Sequence, residues 1–163
     1  MIGQLEPTFR TSRVNYLGIS IRSEHGLFVL VATQVVREFD VLLDELHNDS
    51  TSITFSGAYV RADGHQRFLG RPTLAITWGH NKDHRPDLKQ LLFILTVTED
   101  GGVLIHFRAA DGNTTDVTTH RNTWEMLCQL AGRRDFRYVA DCELVSTDNL
   151  RYIDQHHGHA IGT

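Results

Sequence analysis

The apolar residues of this chain change period along its length, and the changes outline a fold. From Leu27 to Phe39, the residues Leu27, Leu30, Val31, Val35 and Phe39 recur at the spacing of one helical face. The run is too long for an ordinary strand, which predicts a buried amphipathic helix. In Ser50-Thr-Ser-Ile-Thr-Phe-Ser56, Ile53 and Phe55 alternate against Ser and Thr and stop at Gly57. That period of two predicts a strand opened by Asp49. Leu91–Thr98 and Val103–Ala109 flank Glu99-Asp-Gly-Gly102, the pattern of a β-hairpin with a glycine-containing loop.

Beyond the hairpin the period returns to that of a helix. In Val117–Ala131, Trp124, Leu127, Cys128 and Ala131 share a face, with Asp116 as N-cap and Gly132 just past the end. Tyr138-Val-Ala140 predicts a short strand leading into Asp141. A second helix starts from a cap at Ser146 or Thr147, runs through Leu150 and Ile153 to Gly158, and the last six residues begin one more strand. Residues 59–90 are polar, apart from a strand-like Thr73-Leu-Ala-Ile-Thr77, and so long a connection is unusual unless it is functional. Residues 1–24 show no sustained period and stay unassigned, leaving 25–163 as the domain. The element order implies an α/β mixed sheet with helices on its faces.

Composition narrows the class. A chain of 163 residues, 40% hydrophobic and 22% charged with three prolines, has the make-up of one globular domain. It has no apolar run long enough for a membrane span and no basic segment leading an apolar one near its start, so the cytoplasm is the expected compartment. Cys128 and Cys142 lack metal-site spacing and read as buried small hydrophobes. Sixteen basic residues against twenty acidic ones, a net charge of −4, argue against a strong nucleic-acid footprint. If DNA is the partner, most of the grip lies elsewhere.

Taken singly, the polar candidates have ordinary readings. Asp49 before a strand and Asp141 after one suit turns or caps, Asp111-Gly-Asn113 has turn chemistry, and Asp116 caps a helix. Lys82, Arg85 and Lys89 either contact phosphates or belong to a solvated charged loop. His80 and His84 at i, i+4, with His156, His157 and His159, raise a zinc-binding reading, yet zinc needs three or four converging ligands. Ten histidines without Cys support read as surface residues, and Trp124 reads as core.

Three stretches change that balance together. They are His47-Asn-Asp-Ser-Thr-Ser-Ile-Thr-Phe-Ser-Gly57, Gly79-His-Asn-Lys-Asp-His-Arg-Pro-Asp-Leu-Lys-Gln90, and Asp111-Gly-Asn-Thr-Thr-Asp116 followed by Tyr138-Val-Ala-Asp141. In composition and order they resemble the DDE transposases of bacterial insertion sequences, in the IS-four superfamily and its IS-sixteen-thirty-four branch. The likeness covers about residues 27–160.

The resemblance implies an RNase H-like mixed sheet flanked by helices, of order three-two-one-four-five and incomplete at the C-terminus. Its catalytic carboxylates would be Asp49 at the start of the first strand and Asp141 at the end of the fourth, together holding Mg2+ or Mn2+ for DNA cleavage and strand transfer. Its third carboxylate, a Glu on a helix farther on, has no counterpart before Thr163, so the chain is expected to be a truncated fragment, inactive alone. The implied partners are the insertion-sequence ends and target DNA, with an intact transposase as an oligomeric partner. Glu143 departs from the family and would share the face of Asp141, raising one carboxylate's pKa. The alternative function is a non-catalytic DNA-binding or oligomerising remnant.

Overall fold

Strand β4 (Lys89–Thr98) buries every second residue, Gln90, Leu92, Ile94, Thr96 and Thr98, without a break. Such alternation belongs to a strand with one face sealed by a core. The structure is a computed structural model that describes residues 24–68, 71–79, 85–141 and 146–162. Around β4 the chain runs α1 (Glu24–Glu38), β1 (Glu45–Phe55), a small hairpin of β2 (Arg67–Phe68) and β3 (Arg71–Pro72), then β4 and β5 (Leu104–Asp111). It continues through α2 (Asp116–Ala131), β6 (Arg137–Ala140), α3 (Thr147–Gln155) and β7 (His159–Gly162).

The five long strands form one sheet in the order β5-β4-β1-β6-β7. β1 and β4, and β4 and β5, pair antiparallel, whereas β1 and β6, and β6 and β7, pair parallel. The parallel half needs crossover connections, which α2 and α3 supply. Counted without the small hairpin, the order is three-two-one-four-five, the mixed RNase H-like sheet the sequence implied.

The core lies on the face shared by Leu46 of β1 and Tyr138 and Ala140 of β6. Against them pack Trp124, Leu127 and Cys128 from α2, Ile153 from α3, and Ile105 and Phe136. Trp124, Leu127, Tyr138 and Ile153 are fully buried. Each such apolar side chain contributes about 1.5–3 kcal/mol. Gly158 lies so near that a Cβ there would sit 2.5 Å from Trp124 Cζ2, which is why the chain turns at a glycine.

Several expectations are corrected in detail. The first strand begins at Glu45, so Asp49 lies within β1 and not at its start. Leu46 is the only aliphatic residue of Glu45–Asp49, and the inward Asn48 and Ser50 are polar, so alternation of apolar residues could not reveal that half. On α1 the buried residues are Val29 and Ala32, while Leu27, Val31 and Phe39 are exposed. The helix is apolar on most of its circumference, so period alone does not choose a face; the choice falls to packing on β5, where Phe28 meets Phe107 edge-on at 4.9 Å. Asp116 is the first residue of α2 and Thr115 holds the N-cap position, without a side-chain cap bond.

Other details follow the sequence. Gly132 ends α2 in the left-handed region at φ 68°. Ser146 caps α3, its side chain accepting from Asn149 N, although the helix stops at Gln155. The closing strand is present as β7. Residues 73–77 make isolated bridges, Asp63 with Ala75 and Thr77 with Gln90, in place of a strand. They are pinned to the sheet end by Ala75 N donating to Asp111 Oδ1 at 2.8 Å and by Gly112 N donating to Ala75 O at 3.0 Å. Asp111 is structural, as its turn chemistry implied.

Candidate functional site

Asp49 points to the opposite side of β1 from the buried Asn48 and Ser50 and is exposed. Its Oδ1 accepts from Ser50 N at 2.8 Å. Asp141 is the first residue after β6, with its side chain 34% exposed. β1 and β6 are neighbours in parallel register, with Glu45 beside Arg137, Leu46 beside Tyr138 and His47 beside Val139. The paired rungs end at His47 and Val139, two residues short of Asp49 and Asp141. The two acids thus belong to adjoining strands, Asp49 on the exposed face of β1 and Asp141 with its Oδ1 4.0 Å from the buried His120.

Behind them lies a buried polar chain that the sequence did not reveal. Asn48 Nδ2 donates to Leu95 O at 2.9 Å and to Thr96 Oγ1 at 3.0 Å. A carbonyl only accepts, so Leu95 O fixes which way the amide faces. The amide oxygen therefore accepts from Tyr138 OH, at 3.0 Å. The phenol has one proton, so its oxygen accepts from His120 Nδ1–H at 3.1 Å. His120 Nε2 in turn lies 4.0 Å from Asp141 Oδ1. Burial, with the charge of Asp141, pushes the Tyr138 phenol well above its ordinary pKa, so it stays protonated.

The expectation that the histidines lie at the surface is corrected for His106 and His120, both buried. For His120 the sequence signal was the run Thr119, His120, Thr123, Trp124, whose positions share one face of α2 and are all buried. For Asn48 and Tyr138 the signal was their closeness to the two acids. None of these patterns is distinctive by itself.

Two of the DNA-contact candidates, Arg85 and Lys89, have partners within the protein. Arg85 makes a two-pronged contact with Asp87, Nε to Oδ1 at 2.8 Å and Nη2 to Oδ2 at 2.7 Å. That contact raises the guanidinium's pKa and lowers the carboxylate's. Lys89 lies over the Trp78 ring at 4.7 Å and donates to Ala58 O. Lys82, Glu143, Cys142, His80 and His84 lie outside the described residues. His156 Nδ1 donates to Tyr152 O at 2.7 Å, and among the described residues no three His, Cys, Asp or Glu converge as metal ligands.

Asp49 and Asp141 are hard oxygen donors, a set that fits one Mg2+ or Mn2+ with water and phosphate completing the coordination. No described helix is long and apolar enough to cross a membrane.

No protein-family model matches the sequence, and no curated protein matches it. Among solved structures, the chain is similar to a Mos1 transposase paired-end complex with the left transposon end, at 10% identity and a TM-score of 0.46. It is likewise similar to a Mos1 mariner paired-end complex with Mn, at 9% identity and a TM-score of 0.45. Both likenesses cover 100% of this chain and 46% of the other, so the chain spans under half the length of those proteins.

Proposed function

We propose that this domain is the catalytic core of a DDE transposase of the insertion-sequence kind, in the IS-four superfamily and its IS-sixteen-thirty-four branch, acting on DNA phosphodiester bonds with a divalent metal. The observation that supports the reading is the mixed sheet of order β5-β4-β1-β6-β7, with Asp49 on β1 and Asp141 directly after β6, two adjoining strands. The motifs around both acids and the charged 79–90 segment point to the same family.

In this reading Asp49 and Asp141 hold the metal. Two like charges brought together disfavour each other's ionisation unless a cation lies between them, so the pair gains by holding one. A divalent ion in such a site supplies Lewis-acid activation of the attacking oxygen and stabilises the leaving one. Lys82, Arg85 and Lys89 face the DNA backbone; Arg85 exchanges Asp87 for a phosphate when it does so. With sixteen basic residues against twenty acidic ones, this domain alone grips DNA weakly, and in this reading further subunits, including an intact transposase, supply most of the affinity.

Nicking of supercoiled DNA in Mg2+ or Mn2+ tests this. Metal-dependent nicking that disappears in both Asp49→Asn and Asp141→Asn supports the reading. Salt-sensitive DNA binding without metal-dependent nicking favours a non-catalytic DNA-binding or oligomerising role.

A further inference from the structure

Residues 58–90 lead from β1 to the start of β4 and carry a charge opposite to that of the rest. They hold six basic residues against three acidic ones, although the whole chain has a net charge of −4. The described part of this excursion also places aromatic rings where water reaches them. Trp78 is 59% exposed and Tyr59 39%, and Val60 beside Tyr59 is 78% exposed. Scattered apolar residues on a surface need no explanation; two rings gathered around one cation do.

Lys89 is that cation. Its ammonium lies 4.7 Å from the centre of the Trp78 ring and donates to Ala58 O, the carbonyl next to Tyr59. Phe55, which faces Lys89 across the β1–β4 ladder, meets the Tyr59 ring edge-on at 5.4 Å. The support beneath is hydrogen-bonded. Ala62 N donates to Tyr59 O at 3.0 Å, closing a turn whose tip is Val60 and Arg61, and Ile76 N donates to Ala62 O at 2.8 Å. Thr77 and Gln90 exchange backbone bonds that tie the segment to β4. Tyr59 has a φ of 44°, in the left-handed region that a bulky side chain rarely adopts. Such a conformation persists only where the surroundings enforce it, and it is common where a ligand is gripped.

We propose that this surface binds single-stranded nucleic acid, with unpaired bases stacked on Trp78 and Tyr59 and the neighbouring phosphates met by Lys89 and Arg61. Aromatic rings accept any base through its flat face, and basic side chains beside them follow the sugar–phosphate backbone. A duplex keeps its bases stacked on one another, so it would use the cations and leave the rings idle. An acidic protein would likewise use only the charges. Lys89 covers one face of the indole, and with more than half of Trp78 exposed a base has room on the other. Phe55 lies six residues along β1 from Asp49, about 20 Å in an extended strand. The surface is therefore separate from the two acids; the inference extends the phosphate-facing role given to Lys89 above and needs neither acid.

The test uses the full chain without metal, so it succeeds or fails independently of the nicking assay. Titration with an oligothymidylate of about 12 nucleotides is followed by tryptophan fluorescence. Of the two tryptophans Trp124 is fully buried and Trp78 exposed, so quenching reports stacking on Trp78. Quenching on binding is expected, with affinity lowered by about 5- to 150-fold in Trp78→Ala and largely kept in Trp78→Phe. Tyr59→Gly removes the ring while suiting the positive φ and is expected to weaken binding within the same range. Lys89→Gln is expected to lower the slope of log affinity against log salt by about 0.7. If these variants melt early, Arg61→Gln at the exposed turn tip carries the salt-slope test on its own. Oligouridylate titrated in parallel assigns the surface to DNA or to RNA by the tighter of the two. No quenching of the wild-type protein, or wild-type affinity in Trp78→Ala, overturns the proposal. So does a duplex bound as tightly as the single strand, which would leave contacts to phosphate alone. Polyglutamate bound as tightly as oligothymidylate overturns it in favour of an acidic protein partner.

Discussion

Tyr138 donates its hydroxyl proton to Asn48 Oδ1 over 3.0 Å, joining the two central parallel strands next to the acids they carry. Both partners are buried, so neither can turn to water if the other is lost. Tyr138→Phe is expected to destabilise the fold by about 1–3 kcal/mol, the cost of leaving buried polar groups without their partner. Asn48→Leu combined with Tyr138→Phe should cost less than the sum of the single changes, because the pair is coupled. Urea unfolding of the four proteins checks both, and strict additivity would show that the bond contributes nothing of its own.

Gly112 packs where the 73–79 segment meets β4, and a Cβ there would overlap the carbonyl oxygens of Gln90 and Thr77. Gly112→Ala is therefore expected to break the Thr77–Gln90 bridge and free the segment while β1, β4 and β6 stay paired. Hydrogen exchange reads this directly: Ala75, Thr77 and Gln90 amides should lose protection, and Ile94 and Tyr138 should keep theirs.

Ser146 satisfies a backbone donor in the first turn of α3 by accepting from Asn149 N. Ser146→Ala is expected to cost about 1 kcal/mol, and Ser146→Asp to cost little because it restores the acceptor. Thermal melting distinguishes them; equal melting of all three would mean that the cap is not holding the helix.

Burial pushes the Cys128 thiol up to about 11 from its ordinary value of 9.0. The folded protein then holds its proton over a range where the unfolded chain releases it. This group's contribution to stability is complete below the unfolded value, 9.0, and falls as pH rises from there to about 11. Peptide-resolved alkylation near pH 8 should leave Cys128 unmodified until the chain unfolds. Rapid labelling of the native protein would contradict its burial.

How much of this was legible follows from which residues carry the signal. The hairpin of Leu91–Thr98 and the period of Val117–Ala131 were readable because apolar side chains mark the buried positions of β4 and α2. The first half of β1 was not, since its inward positions include Asn48 and Ser50, buried through hydrogen bonds that no hydrophobic pattern records. The face of α1 was misread because apolar residues lie on most sides of the helix, so its period does not say which side meets the sheet. Asp49 and Asp141 were singled out through their motifs alone, and the β1–β6 ladder ends two residues short of each. The burial of His120 was missed because it rests on hydrogen bonds through Tyr138 and Asn48, residues far from it in sequence.

The most direct test of the central claim is to let the metal report its own position. Fe2+ bound in place of Mg2+, with ascorbate and peroxide, cuts the polypeptide backbone close to the ion, and mass spectrometry locates the cuts. The account predicts cleavage beside Asp49 and beside Asp141, both suppressed by excess Mg2+ and both lost in either Asp→Asn variant. Cleavage confined to another part of the chain, such as the His156–His159 stretch, or cleavage at only one of the two acids, would contradict it.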